Sequence, residues 1–286
     1  MEDRPDGHPD ELRNRDALVF TPTYNERDSI EALLDGVLGL PGQYDLLIVD
    51  DSSTDGTQAI LQARAVIEPR LHIITRPGKR GIDTAHKLAW MFARSRGYRR
   101  IVTMDADLSH DPDDIPRLLA ALDAGADVAV GSRFAPGGRL DYHGWRRLLS
   151  VTANHLARRL LGLKINEYTT SFRAARLDRV PTGLVEGVAA QGYSFFLACI
   201  VALGRAGMVM REVPIHFHDR TGGESKMPRG AVRRGVISLL HHTIDRSPPD
   251  ISTFPAPEHR RCPACGEPFR LRLPDGAKAC FSCFAA

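Results

Sequence analysis

Between Ala17 and Gly131 the chain alternates short apolar runs with longer stretches in which apolar residues recur at helical spacing. Ala17-Leu-Val-Phe20, Asp45-Leu-Leu-Ile-Val49, Leu71-His-Ile-Ile74, Ile101-Val-Thr-Met104 and Asp127-Val-Ala-Val130 are brief, rich in branched aliphatics and bounded by Gly, Pro or Asp, which predicts strands. The intervening segments 28–39, 55–66, 83–96 and 112–124 read as helices; Ile30, Leu33, Leu34, Val37 and Leu38 form one face of the first. Asp28, Asp55, Asp83 and Asp111 stand where helix N-caps are expected, and Pro112 suits a first turn. Strands with no polar alternation are buried on both sides, so the pattern predicts an α/β domain with a mostly parallel central sheet and helices on both faces. In such sheets ligands bind beyond the carboxyl ends of the strands.

The second half is less regular. A loop at 132–145 precedes a basic helix over about 145–161. A short segment at 167–174, a helix near 193–206, a strand at Met208–Pro214 and an amphipathic helix over about 229–244 follow. These boundaries divide the chain into a tail (1–16), a main domain (17–245), a Pro-rich linker (246–260) and a Cys-containing end (261–286). The longest apolar run, Phe195 to Leu203, is far short of the roughly 20 residues that span a bilayer. The start, Met1 to Asp10, is polar and acidic and does not read as a secretory signal, so a cytoplasmic location is expected. With 38 basic and 35 acidic residues the net charge of +3 is too mild for a nucleic-acid coat.

Chemistry-grade residues gather at the strand ends: Thr21-Pro-Thr-Tyr-Asn-Glu26, Asp50-Asp-Ser-Ser-Thr-Asp-Gly56, Asp105-Ala-Asp-Leu-Ser-His-Asp-Pro112 and Gly131-Ser-Arg133. Asp105 and Asp107, two apart, point the same way in an extended segment. Two carboxylates facing one point repel unless a cation sits between them, and oxygen-only ligation suits Mg²⁺ or Mn²⁺ bridging to phosphates. The plainer alternative, that these aspartates only cap the next helix, loses ground because Asp50-Asp51 ends another strand on the same rim.

Pro22-Thr-Tyr-Asn-Glu26, Ile48-Val-Asp-Asp-Ser-Ser-Thr-Asp-Gly56, Met104-Asp-Ala-Asp-Leu-Ser-His110 and Gly131-Ser-Arg-Phe134 resemble family 2 glycosyltransferases of the GT-A fold, a Rossmann-like architecture. Ser171-Phe-Arg173, Gly192-Tyr193, Glu212-Val-Pro-Ile215 and Asp219-Arg-Thr-Gly-Gly-Glu-Ser-Lys226 narrow the resemblance to dolichol-phosphate and polyprenol-phosphate mannose synthases. It covers about residues 17–245. The resemblance implies that Pro22, Tyr24 and Glu26, assisted by Val49 and Asp51, hold the base and ribose of a nucleotide sugar. Asp105 and Asp107, with Ala106 between them, would bind its diphosphate through Mg²⁺ or Mn²⁺, and Ser109 would complete the metal shell. Arg133, Arg220 and Lys226 would contact phosphates of donor or acceptor. The implied reaction is inverting transfer of a sugar, mannose from GDP-mannose, onto a polyprenyl or dolichyl phosphate.

The charge inventory suits that reaction. A departing nucleoside diphosphate needs its growing charge stabilised, whereas a phosphate acceptor is already an anion and needs orientation more than a strong base. Basic residues do gather in the second half, with five Arg against one Asp from Arg139 to Arg159 and seven Lys/Arg against four Asp/Glu from Arg211 to Arg246. Along 229–244, Val232, Val236, Leu239, Leu240 and Thr243 share a face that Arg229, Arg233 and Arg234 precede. Such a helix either lies in a membrane headgroup layer, giving peripheral contact at the cytoplasmic face, or packs its stripe on the sheet.

The chain departs from the family pattern at Asp83, where relatives carry Gly, and at Glu167 and Thr170, where they carry Asp and Gly. Asp83 either caps its helix or adds a carboxylate beside the donor pocket; Glu167 and Thr170 bear on which sugar fits. A further departure is Cys262-Pro-Ala-Cys265 with Cys280-Phe-Ser-Cys283, a C-x2-C-x14-C-x2-C array around a Pro274-Asp-Gly276 turn. Four thiolates at this spacing make a zinc ribbon, structural because no ligand position is left open, with an unspecified docking partner. Cys199, inside an apolar run, reads as a core residue. Two other readings compete: a transferase of the same fold using another nucleotide sugar or a soluble acceptor, and a non-catalytic scaffold that binds a partner or nucleic acid through the ribbon.

Overall fold

The computed structural model describes residues 15–141, 144–219, 230–245 and 247, together with the short pairs 271–272 and 278–279. Seven strands form one sheet in the order β3-β2-β1-β4-β7-β5-β8. They are β1 (Ala17–Thr23), β2 (Tyr44–Asp50), β3 (Leu71–Thr75), β4 (Arg100–Thr103), β5 (Val128–Ser132), β7 (Arg173–Arg176) and β8 (Met210–Pro214). All run parallel except β7, which lies antiparallel between β4 and β5. A small parallel pair, β6 (Arg139–Leu140) with β9 (His216–Phe217), stands beside the main sheet. In the Cys-containing end, β10 (Leu271–Arg272) pairs antiparallel with β11 (Lys278–Ala279).

The sheet is covered on both sides, as uninterrupted apolar strands require. Along β1 the side chains alternate between two cores. Leu18 and Phe20 face α3 (Ile82–Ser95) and α6 (Ser194–Arg205), while Ala17 and Val19 face α1 (Arg27–Leu38), α2 (Thr57–Ile67) and α4 (Ile115–Asp123). Ile30, Leu33, Leu34, Val37 and Leu38 of α1 are all buried, as their spacing predicts. α5 (Trp145–Leu161) and α7 (Ala231–Ile244) complete the second half.

Local departures from the sequence reading have physical causes. Asp111 does cap a short 3₁₀ turn at Pro112–Asp114, accepting from the amide of Asp113. The other three aspartates miss the cap by one or two positions: Glu26, Gly56 and Gly81 occupy it. Gly56 has φ +106°, a conformation side chains resist, and Asp55 reaches over it to accept from the amide and hydroxyl of Thr57. Asp83 lies in the first turn of α3, buried, and its Oδ1 accepts from the amide of Gly192 at 2.8 Å. It ties α3 to the loop before α6 instead of capping its own helix. β7 carries the sequence Arg-Ala-Ala-Arg, which has no strand character of its own; pairing on both edges imposes its conformation.

Candidate active site

Chain order turns around between β1 and β4: β2 and β3 stack to one side of β1, β4 to the other. The crevice beyond such a switch point is where an open α/β sheet receives a ligand. The loops after β1, β2 and β4 meet there, and each holds a non-glycine residue in the left-handed region: Asn25 (φ 55°), Ser52 (φ 56°) and Leu108 (φ 59°). Each such residue costs about 1–3 kcal/mol and persists only where its surroundings over-determine it. Those surroundings are explicit. The Asn25 amide donates to Ser53 Oγ (2.8 Å) and the Thr54 amide to Asn25 Oδ1 (2.9 Å). Ser52 Oγ donates to the carbonyl of Arg76 (2.6 Å) and accepts from the amide of Gly78 (3.0 Å).

The two aspartates ending β2 have separate tasks. Asp50 is fully buried and accepts four hydrogen bonds, from Thr23 Oγ1, the amide and hydroxyl of Ser53, and Gln58 Nε2. It builds the loop. Asp51 accepts from Nε of Arg76 at 2.6 Å and from the amide of Arg80 at 3.1 Å. Arg76 is wholly buried, and burial pulls its pKa down against the opposing pull of Asp51. Sequence reading missed Arg76: a single Arg before Pro77 carries no spacing signal that distinguishes it from a surface charge.

Asp105 and Asp107 follow β4 on the rim, both partly exposed. Ser171 Oγ donates to Asp105 Oδ1 (2.7 Å), while the amide and hydroxyl of Ser109 both donate to Asp107 Oδ1. Ser109 therefore orients Asp107. Asp105's amide donates to Nδ1 of His110 at 3.2 Å, so the imidazole is neutral, with its proton on Nε2. Burial pushes the His110 pKa down to about 4, the ring stacks on Phe172, and Nε2 has no hydrogen-bond partner among the described residues. This arrangement holds two carboxylates at the mouth of the crevice by oxygen and backbone contacts, the donor chemistry a hard divalent cation takes.

Arg133, at the end of β5, donates from Nε to Glu167 Oε2 and from Nη2 to Glu167 Oε1, both at 2.8 Å, and from Nη2 to Thr169 Oγ1. Glu167 is fully buried. Burial alone would raise its pKa, but Arg133 and the bonds from Thr169 outweigh that and hold it below the usual glutamate value. Thr170 is buried beside it; its amide donates to Glu167 Oε1 and its hydroxyl accepts from the amide of Phe172. The two departures at 167 and 170 thus build one anchor for Arg133, with Glu212 accepting from the amides of Asn166 and Glu167 behind it. Gly131 lets this segment approach: a Cβ there would lie 3.1 Å from the Phe172 carbonyl oxygen.

Of the remaining expected residues, Pro22 near the end of β1 and Tyr24 and Glu26 in the loop after it are partly exposed, with Lys79 Nζ 4.4 Å from the Tyr24 ring centroid. Ala106 is buried between the two aspartates. Val49 is wholly buried, its side chain in the core and not in the crevice. Arg220, Lys226, Cys262, Cys265, Cys280 and Cys283 lie outside the described residues. Cys199 is buried, its thiol pushed up to about 12.

Away from the crevice, α5 and α7 pack together and leave apolar side chains outside. Leu148, Val151 and Leu156 on α5 and Val236, Ile237, Leu240 and Ile244 on α7 are exposed, near the exposed Arg147, Arg158, Arg159, Arg233 and Arg234. Among the described side chains of the expected α7 stripe, only Leu239 reaches the core. Among the described residues no helix is long and apolar enough to cross a membrane.

Comparison with known proteins places these features. The model of the family described as glycosyl transferase family 2 matches residues 18–180. The polyprenol monophosphomannose synthase of Mycolicibacterium smegmatis is 39% identical over 229 residues, covering 79% of this chain and 86% of that protein. The undecaprenyl-phosphate mannosyltransferase of Micrococcus luteus is 35% identical over 223 residues, covering 78% and 91%. Among solved structures, glucosyl-3-phosphoglycerate synthase from Mycobacterium tuberculosis, in complex with Mn²⁺, UDP and glucosyl-3-phosphoglycerate, superposes with a TM-score of 0.58. It is 22% identical, with 87% of this chain and 88% of that one covered.

Proposed function

Because the chain belongs to glycosyl transferase family 2 and is a glycosyltransferase, we propose that it moves mannose from GDP-mannose onto a polyprenyl phosphate with inversion at the anomeric carbon. The observation that carries this reading is the Asp105/Asp107 pair, presented at the switch point and steadied by Ser171 and Ser109, in a chain that matches two phosphoprenol mannosyltransferases over most of its length. The two carboxylates would hold Mg²⁺ or Mn²⁺, which offsets the charge that develops on a departing nucleoside diphosphate.

The chain's own residues do the rest. The β1 and β2 loops, locked to each other through Asn25, Ser53 and Thr54, would receive base and ribose at Pro22, Tyr24 and Glu26, with Lys79 against Tyr24. Asp51 and Arg76 keep that wall rigid. The guanidinium of Arg133, fixed in orientation by Glu167, would face phosphate oxygens, with Arg220 and Lys226 supplying further positive charge. A phosphate monoester is already an anionic nucleophile, so orientation and charge compensation suffice without a strong general base.

A polyprenyl chain needs an apolar approach, and the α5–α7 face with its arginines supports peripheral contact with an anionic membrane. The four cysteines beyond 260 would hold a structural zinc.

Radiolabelled GDP-mannose with Mn²⁺, incubated with and without prenyl phosphate, tests the assignment. Label should partition into organic solvent only when the prenyl phosphate is present. Label that stays aqueous with every prenyl phosphate, or that moves only from another nucleotide sugar, would overturn it.

A further inference from the structure

Three metal-ligating side chains that the proposed function leaves unused meet at the β6–β9 pair. His216 Nε2 lies 2.6 Å from Asp141 Oδ1, His218 Nδ1 lies 3.5 Å from Asp141 Oδ2, and the two imidazole centroids are 4.1 Å apart. One ligand atom from each residue falls within 4.8 Å of the others. We propose that Asp141, His216 and His218 form a second divalent-metal site, separate from Asp105/Asp107, that takes a zinc-class transition ion.

The backbone already holds this triad in place. Asp141's amide donates to the carbonyl of Phe217 (3.0 Å), Arg139's to that of Ile215 (2.9 Å), and His218's to that of Ser109 (3.0 Å). Alternation along β9 sends His216 and His218 to one side and Phe217 to the other, where its ring meets the His110 imidazole and the Arg133 guanidinium. The ligands are therefore organised before any ion arrives, which lowers the ordering entropy that binding must overcome.

Donor type separates the two sites. Asp105 and Asp107 offer oxygen alone, whereas the triad offers two imidazole nitrogens and one carboxylate, a set that suits zinc and its neighbours over Mg²⁺. Side-chain exposures of 41–43% leave solvent on the outer side, so a fourth position is open to water or an anion. The His218–Ser109 hydrogen bond means that an ion here would brace the loop that carries Asp107, two residues before Ser109.

The test uses the full-length chain, stripped of metal and dialysed at neutral pH against buffered Zn²⁺, with bound zinc counted by elemental analysis. Wild type should carry one equivalent beyond any thiolate-bound ion. H216Q, H218Q and D141N should each weaken that equivalent by about tenfold or more, since even residues that only support a ligand cost this much. Co²⁺ substitution assigns the equivalents: the triad's ion gives a d–d spectrum without thiolate charge transfer, and that spectrum should vanish in the variants. Unchanged thermal unfolding of the variants without metal shows that their folds are intact. The proposal is overturned if wild type binds only a thiolate-ligated ion, if the variants keep the nitrogen-ligated equivalent, or if Mn²⁺ with GDP displaces it one for one, which would place the imidazoles in the nucleotide's own metal shell.

Discussion

The strand-end crevice and the α5–α7 face present opposite surfaces. In the crevice, charge is answered at short range: Asp50 accepts four bonds, Asp51 meets Arg76, Glu167 meets Arg133, and each of three loops holds a left-handed residue. On α5 and α7, seven large apolar side chains stand in solvent among arginines. A small charged ligand rewards atoms fixed in advance, because electrostatic stabilisation is greatest when nothing must reorganise. An acyl-like partner rewards area and charge, with little demand on exact placement.

Substitutions can break that contrast, beginning where the effect is greatest. Asp107→Ala should lower kcat roughly a thousandfold or more while thermal unfolding without ligand stays near wild type; retained turnover in a steady-state transfer assay would mean the carboxylate is not at the reaction. Asp51→Asn should destabilise the fold by about 3–5 kcal/mol, read by urea unfolding, because wholly buried Arg76 loses its counter-charge. A change within error would show the crevice to be less tightly built than its geometry implies.

Glu167→Gln should cost less, about 2–3 kcal/mol, because Arg133 keeps some contact with solvent where Arg76 has none, and the amide oxygen can still accept from Arg133 Nη2 and Thr169 while the bond from Arg133 Nε is lost. It also carries a pH signature. The folded pKa of Glu167 is depressed, so its stabilisation is complete above the ordinary glutamate value and is lost as pH falls below it through the folded pKa. Wild type should therefore shed stability over that acid interval more steeply than Glu167→Gln; parallel pH profiles of the unfolding midpoint would contradict the assignment. The smallest effect on the fold is expected at the helices. Leu148→Ser with Leu240→Ser should change stability by no more than about 0.5 kcal/mol per site. In flotation with anionic vesicles at low salt, the same pair should reduce association clearly, and no association by wild type at either low or high salt would remove the membrane role.

How much of this was legible beforehand follows the same division. Strands and helices through Ser132 emerge within about three residues, because two-sided burial leaves unbroken apolar runs such as Leu46 to Val49. Asp105 and Asp107 were readable as a pair by spacing. Their supports were not: Ser171 lies 66 positions from Asp105, and Arg76 25 positions from Asp51. Tertiary partners that distant leave no periodic trace. β7 was invisible for a related reason, since Ala174 and Ala175 favour strand only when flanked on both edges. The spacing along α7 predicts a single apolar face, but the helix turns Leu239 inward and Val236 and Leu240 outward, with Ile237 and Ile244 joining them.

The antiparallel placement of β7 has a consequence for how such an enzyme tolerates change. Its first residue, Arg173, is in register with Thr103 on one flank and Val130 on the other, and Ser171 just ahead of it reaches Asp105. Slipping the strand by a single position would turn every side chain to the opposite face. The two flanks are thereby indexed to one another like pages on a spine. Insertions between Thr169 and Arg173 should therefore be purged.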